Sequence, residues 1–114
     1  EAVCGWLLSE GCTIAARNYS APPYGEIDIV AEKDGITAFV EVKTRKEGAR
    51  VSGAAAVTPS KQKKLILAAS QYADTHACGR CRFDVAEVEL AGGKAPRITA
   101  LRYYPNAFTA DEEE

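Results

Sequence analysis

Five charged side chains fall within a short stretch at the spacing of strands: Glu26 and Asp28, then Glu41, Lys43 and Arg45. Side chains two apart in a strand point to one face, so the two acids share a face of the first segment and Glu41, Lys43 and Arg45 share a face of the second. The intervening Ile27, Ile29, Val40 and Val42 supply an apolar opposite face. Carboxylates beside a lysine can serve phosphodiester cleavage, because a hard cation such as magnesium takes carboxylate oxygens and an attacking water needs a positioned charge nearby. Alternating charge more often means only a solvated strand face; here two acids and a lysine converge from two segments.

The elements around them follow from local signals. Asp34-Gly35 suits the positive-φ backbone of a tight turn, so Gly25–Arg45 is predicted to be an antiparallel hairpin. The turn cluster from Ser20 to Gly25 separates it from a first strand, Thr13 to Tyr19. Residues 1–10 read as an amphipathic helix with Val3, Trp6 and Leu7 on one stripe, Cys4 and Leu8 beside it, and Gly11 as a left-handed cap. Glu1, Cys4 and Leu8 recur at helical spacing, which leans Glu1 toward the buried side. The small, Gly-rich residues 46–57 are expected to be a flexible loop, with a short helical turn at Ala54 to Val57 as an option.

Thr58-Pro59 is a helix start, a hydroxyl cap followed by proline at the first helical position. That helix should run to about His76 and bury Leu65, Ala68, Ala69 and Tyr72. Lys61, Lys63 and Lys64 load its first turns with cations that oppose the helix dipole, an arrangement that favours an anion there. Lys61, four residues before Leu65, belongs on the packed side. Two further strands, Cys81 to Leu90 and Arg97 to Tyr104, are expected, the last ending before Pro105.

At 114 residues and 46% hydrophobic composition, one domain with one core is expected, over residues 1–108. Residues 109–114 read as an acidic, disordered tail. The net charge is −2, but the four terminal acids leave 14 − 12 = +2 for the remainder, which neither requires nor forbids a polyanionic partner. No apolar run is long enough to span a membrane and no segment resembles a signal peptide, so a cytoplasmic location is the expectation. The opening in mid-helix without a methionine suggests residues ahead of Glu1. Cys78 and Cys81 have metal-ligand spacing, yet Cys4 and Cys12 are poorly spaced to complete a site. Zinc is not expected, and reduced, largely buried thiols are. The single histidine, His76, near a helix end, reads as structural, and no nucleophile-histidine pair is suggested.

Asp28, a twelve-residue spacer and Glu41-Val42-Lys43, on a hairpin that follows a helix, resemble the PD-(D/E)XK or restriction-endonuclease-like superfamily. Gly25-Glu26-Ile27-Asp28, Phe39 to Arg45, Val57-Thr58-Pro59 with Lys61-Gln62, Cys81 to Val85 and Asn106-Ala107-Phe108 together are similar to one branch, the bacterial YraN-type family of predicted endonucleases related to archaeal Holliday-junction resolvases. Ile27 stands where the proline of the superfamily motif would be.

The resemblance implies an α/β, restriction-endonuclease-like fold, with a central mixed sheet of about five strands flanked by helices in the order α-β-β-β-α-β-β. It implies magnesium, or manganese in its place, held by Asp28, Glu41, the Val42 carbonyl and Glu1, with Lys43 as the third catalytic residue and Glu26 as a supporting acid. Arg45, Lys61, Lys64 and Arg82 become the candidates for contacting nucleic acid. The activity implied is endonucleolytic cleavage of DNA, branched or otherwise structured DNA included. A resolvase would need two sites and hence a homodimer, and an unknown protein partner is a further option. The competing reading is a non-catalytic nucleic-acid-binding or adaptor protein on the same fold.

Overall fold

The structure, a computed structural model, describes residues 2–48, 57–93, 95 and 97–109. Helix α1 (Ala2–Ser9) leads into strands β1 (Thr13–Ser20), β2 (Glu26–Lys33) and β3 (Ile36–Lys46), then helix α2 (Pro59–Thr75) and strands β4 (Arg80–Ala91) and β5 (Arg97–Phe108). The chain is α/β in the expected order. The five strands form one sheet in sequence order. β3 and β4 pair in parallel and the other neighbours are antiparallel. A parallel pair cannot be joined by a tight turn, and α2 lies in the β3–β4 crossover.

The local signals act as their chemistry requires. Gly11 at φ +93° ends α1, with its N–H donating to the Leu8 carbonyl at 3.0 Å. The Thr58 hydroxyl accepts the Lys61 N–H at 3.2 Å, and Pro59 opens α2 where a missing N–H costs nothing. Asp34 and Gly35 both take positive φ at the β2–β3 turn. His76 stacks on Tyr72 with ring centroids 3.8 Å apart.

Both faces of the central strands β2, β3 and β4 are buried, one under each helix. α2 covers Ile27, Val30, Phe39 and Val85, whereas α1 covers Ile29, Ala31, Val40 and Ala86. This corrects the expectation that the hairpin would have one apolar and one polar face. Central strands between two helices have little solvent to face, so the polar residues that β3 and β4 carry inward, Thr37, Glu41, Asp84 and Glu87, are themselves buried.

Two further expectations change. β5 continues through Pro105 to Phe108. Proline removes a ladder donor, but β5 is an edge strand and can tolerate the loss. Of the cysteines, all free, only Cys4 is buried; Cys12 and Cys78, in the α1–β1 and α2–β4 connections, are half-buried, and Cys81, near the start of β4, is exposed. Burial and the neighbouring Cys78 thiol push the Cys81 thiol pKa up. The expected loop and helical turn fall largely in 49–56, outside the described residues. So does most of the expected acidic tail. Among the described residues, no helix is long and apolar enough to cross a membrane.

Candidate active site

Pairing between β2 and β3 runs from the turn only as far as Ile29 opposite Val40. Beyond that point the two strands part. Asp28 stands at the parting, and its Oδ2 accepts the Val42 N–H at 2.8 Å, in place of the backbone acceptor that a longer ladder would have supplied. The parting coincides with a change of face. Ile27 packs under α2 but Ile29 under α1, and on β1, opposite Asp28, Asn18 adopts φ +52°. Asparagine is among the few residues that tolerate that backbone, a signal that could have marked the position from sequence.

Glu41 lies on the α2 side and is only 5% exposed. Burial raises its pKa above the ordinary carboxylate value, and the charge of Asp28 and a hydrogen bond shared with it raise it further. Two cations oppose this: Lys43 Nζ lies 3.8 Å and Lys61 Nζ 3.9 Å from Glu41 Oε2. They lower the pKa without overcoming burial and the second acid. Lys61 is thus on the packed side of α2, and its ammonium reaches the acid from the helix's first turn. On the other side of the parting, Asp28, Val42, Thr44 and Ala2 line an open groove of about 470 Å³.

Asp28, Glu41, Val42, Lys43 and Lys61 are therefore brought together. Arg45 lies two residues further along the same face of β3, paired with Glu87. Lys64 and Glu26 are exposed, and neither makes a hydrogen bond or ion pair with the described residues of this site. Glu1 lies outside the described residues.

Arg82 is not brought to the site. It grips Asp84, with Nε 2.9 Å from Oδ1 and Nη2 2.9 Å from Oδ2. Asp84 also accepts from the hydroxyl of Tyr103, which packs with the α1-side core. Arg82 thus works on the face opposite Glu41. Sequence reasoning passed over Glu87, a buried acid on β4. Its visible signal was an acid at alternate spacing with Val85, in phase with the buried Phe83 and Val85 rather than with the strand's other face.

The family model for the uncharacterised protein family UPF0102 matches residues 1–88. The chain belongs to the UPF0102 (YraN) family. A UPF0102 protein of Thermosynechococcus vestitus is 41% identical over 114 residues, covering 96% of this chain and 89% of the relative. Another, from Saccharophagus degradans, is 39% identical over 93% of this chain and 85% of its own length. A third, from Desulfosudis oleivorans, is 42% identical, with coverages of 93% and 82%. The family's description assigns no activity, so a function is argued from the site.

Proposed function

We propose that the chain is a metal-dependent endonuclease acting on DNA, with Asp28, Glu41 and Lys43 as its catalytic residues. One observation carries the reading: a buried Glu41 and Asp28 crowd together at the parting of β2 and β3, with two lysines insufficient to offset the burial and repulsion felt by Glu41. A buried acid crowded by a half-buried one favours an added cation. Among the described residues no group of three or more His, Cys, Asp or Glu side chains gathers as a metal cage. Two carboxylates and a carbonyl fit magnesium nonetheless, because that ion is commonly held by one or two protein carboxylates and keeps several waters.

Asp28, Glu41 and the Val42 carbonyl would hold the ion, and Glu1 is a fourth candidate. Bound there, magnesium or manganese would supply Lewis acidity toward a phosphodiester oxygen and make a water more acidic. The chain's own residues do the rest. Val42 fixes the Asp28 carboxylate through its N–H, which removes a rotamer that would otherwise have to be ordered. Lys43 orients the attacking water or donates to a phosphate oxygen as charge develops. Lys61 holds a neighbouring phosphate at the start of α2, where the helix dipole also favours an anion.

The test is incubation of the protein with duplex, single-stranded, flap and four-way-junction DNA in magnesium or manganese, beside Asp28→Asn. Cleavage that disappears in the variant and in chelator is expected. Calorimetric titration with magnesium alone gives a second readout: binding by the wild type and none by Asp28→Asn. Neither binding nor cleavage would defeat the reading, and salt-sensitive DNA binding without cleavage would favour a non-catalytic binder.

A further inference from the structure

Beyond the start of α2, the face of the sheet that carries Glu41 holds another buried acid, Glu87, 1% exposed. In the parallel register Glu87 stands opposite Lys43, which makes it a diagonal neighbour of both Glu41 and Arg45. Its Oε2 lies 2.6 Å from Arg45 Nε. The N–H is not aimed at that oxygen, so this contact is a close ion pair rather than a formed hydrogen bond. Its Oε1 accepts the Tyr104 hydroxyl at 3.3 Å and lies 3.9 Å from Arg102 Nη1. Arg102 is also 3.2 Å from Glu89.

A carboxylate this buried costs several kcal/mol unless it is well paired, and an apolar residue of similar size would often be as stable. Stability alone is therefore a weak reason for Glu87. Its geometry offers another. It engages Arg45 through Nε, and among the described residues the terminal guanidinium nitrogens form no hydrogen bond. Those nitrogens are the edge that recognises phosphate in a bidentate manner. Lys43 and Arg45 are two residues apart, about 6.5 Å along the strand. Lys61, Lys43, Arg45 and Arg102 thus form a track of cations from α2 across β3 toward β5, each within ion-pair distance of Glu41, Glu87 or Glu89.

We propose that Glu87 is a positioning residue that fixes Arg45 against a nucleic-acid phosphate beside the one at Glu41, with Arg102 continuing the track. This rests on the nucleic-acid reading above. It makes a prediction whose sign opposes simple electrostatics. Removing a negative charge beside a polyanion should tighten binding, whereas removing the group that orients Arg45 should weaken it.

The experiment measures binding of a fluorescein-labelled four-way junction and a duplex of equal length across a salt series, in the non-cleaving Asp28→Asn background. Glu87→Gln is expected to weaken binding about fivefold to tenfold, and to add nothing once Arg45 is alanine. Equal or tighter binding, or an undiminished penalty in the Arg45→Ala background, would overturn the proposal. Circular dichroism melting checks that Glu87→Gln is folded. If it is not, Arg45→Ala and the half-exposed Arg102→Gln decide: each should lower the salt slope by about one, and unchanged slopes sink the idea. Absence of salt-dependent binding by the Asp28→Asn protein itself would defeat the nucleic-acid reading and the inference with it. Binding with the wrong sign for Glu87→Gln defeats the inference alone.

Discussion

Asp84 and Glu41 are both buried acids, 0% and 5% exposed, on adjacent parallel strands, yet their surroundings treat them oppositely. Asp84 is fully provided for. Arg82 grips it in a fork, the Tyr103 hydroxyl donates to Oδ2, and the Asn106 N–H donates to Oδ1 at 2.8 Å. The ladder with β5 is irregular between Phe83 and Val85, so the Asp84 carboxylate holds together a place where backbone pairing lapses. Glu41 instead has a second acid beside it and two lysines near 4 Å, and its pKa is raised. The difference separates a carboxylate that the fold completes from one that it leaves incomplete. The first stabilises; the second is suited to an added cation or substrate.

The sharpest way to break this contrast is Asp84→Ala. Removing one partner of a buried ionic network strands the others, here Arg82 and Tyr103, and should cost about 3–5 kcal/mol in denaturant unfolding. Asp28→Asn should cost far less stability while abolishing cleavage. If Asp84→Ala unfolds like the wild type, the two acids do not differ in the way argued.

Magnesium should act on one acid and not the other. A ligand at one hundred times its dissociation constant adds about 2.7 kcal/mol to stability. Thermal melting should therefore shift upward with magnesium in the wild type and in Tyr103→Phe, but not in Asp28→Asn or Glu41→Gln. A shift retained in both acid variants would move the metal elsewhere.

Tyr103→Phe tests the completed acid more gently. It deletes one of several donors to Asp84, and a hydrogen bond to a charged group contributes about 1.5 kcal/mol or somewhat more. The Tyr103 hydroxyl has its pKa pushed far up, first by burial and then by the bond to Asp84. Burial pushes the Tyr72 hydroxyl up as well, so spectroscopic titration of the folded wild type should show fewer ionising tyrosines than its unfolded state across the ordinary phenol range, and Tyr103→Phe should reduce that discrepancy by one. An equal discrepancy in both proteins would contradict the assignment.

The sequence made the fold legible where local chemistry governs. Gly11, Asp34-Gly35 and Thr58-Pro59 each specify a boundary through backbone preference or capping, and the structure puts boundaries there. Pro105 misled because its effect depends on whether a strand is central or at an edge, a property of the whole sheet. At the site, the spacing of Asp28, Glu41 and Lys43 suggested their meeting. The means of that meeting could not be read: alternation predicts Asp28 on the face of Glu26, whereas the chain changes face at Asn18 and Asp28 and the strands part. Arg82 illustrates the converse. A basic residue near an aspartate in sequence can be a phosphate ligand or that aspartate's partner, and only the packing of Tyr103 and Asn106 around Asp84 distinguishes the two.

The smallest expected effect concerns the sign of stability against pH. Glu41 has a folded-state pKa raised above 4.5, so between that value and the raised one the folded protein binds more protons than the unfolded chain. Stability from this group is present below pH 4.5 and lost as pH rises through the folded pKa; each unit of elevation corresponds to about 1.4 kcal/mol. In chelator, Glu41→Gln should remove that decline, making the variant more stable than wild type at neutral pH. Asp84→Asn should be less stable at the same pH. Two neutralising substitutions of buried acids would then move stability in opposite directions, a result that burial alone cannot produce. If Glu41→Gln instead destabilises the metal-free protein, Lys43 and Lys61 already compensate the acid, and the case for a cation at the parting weakens accordingly.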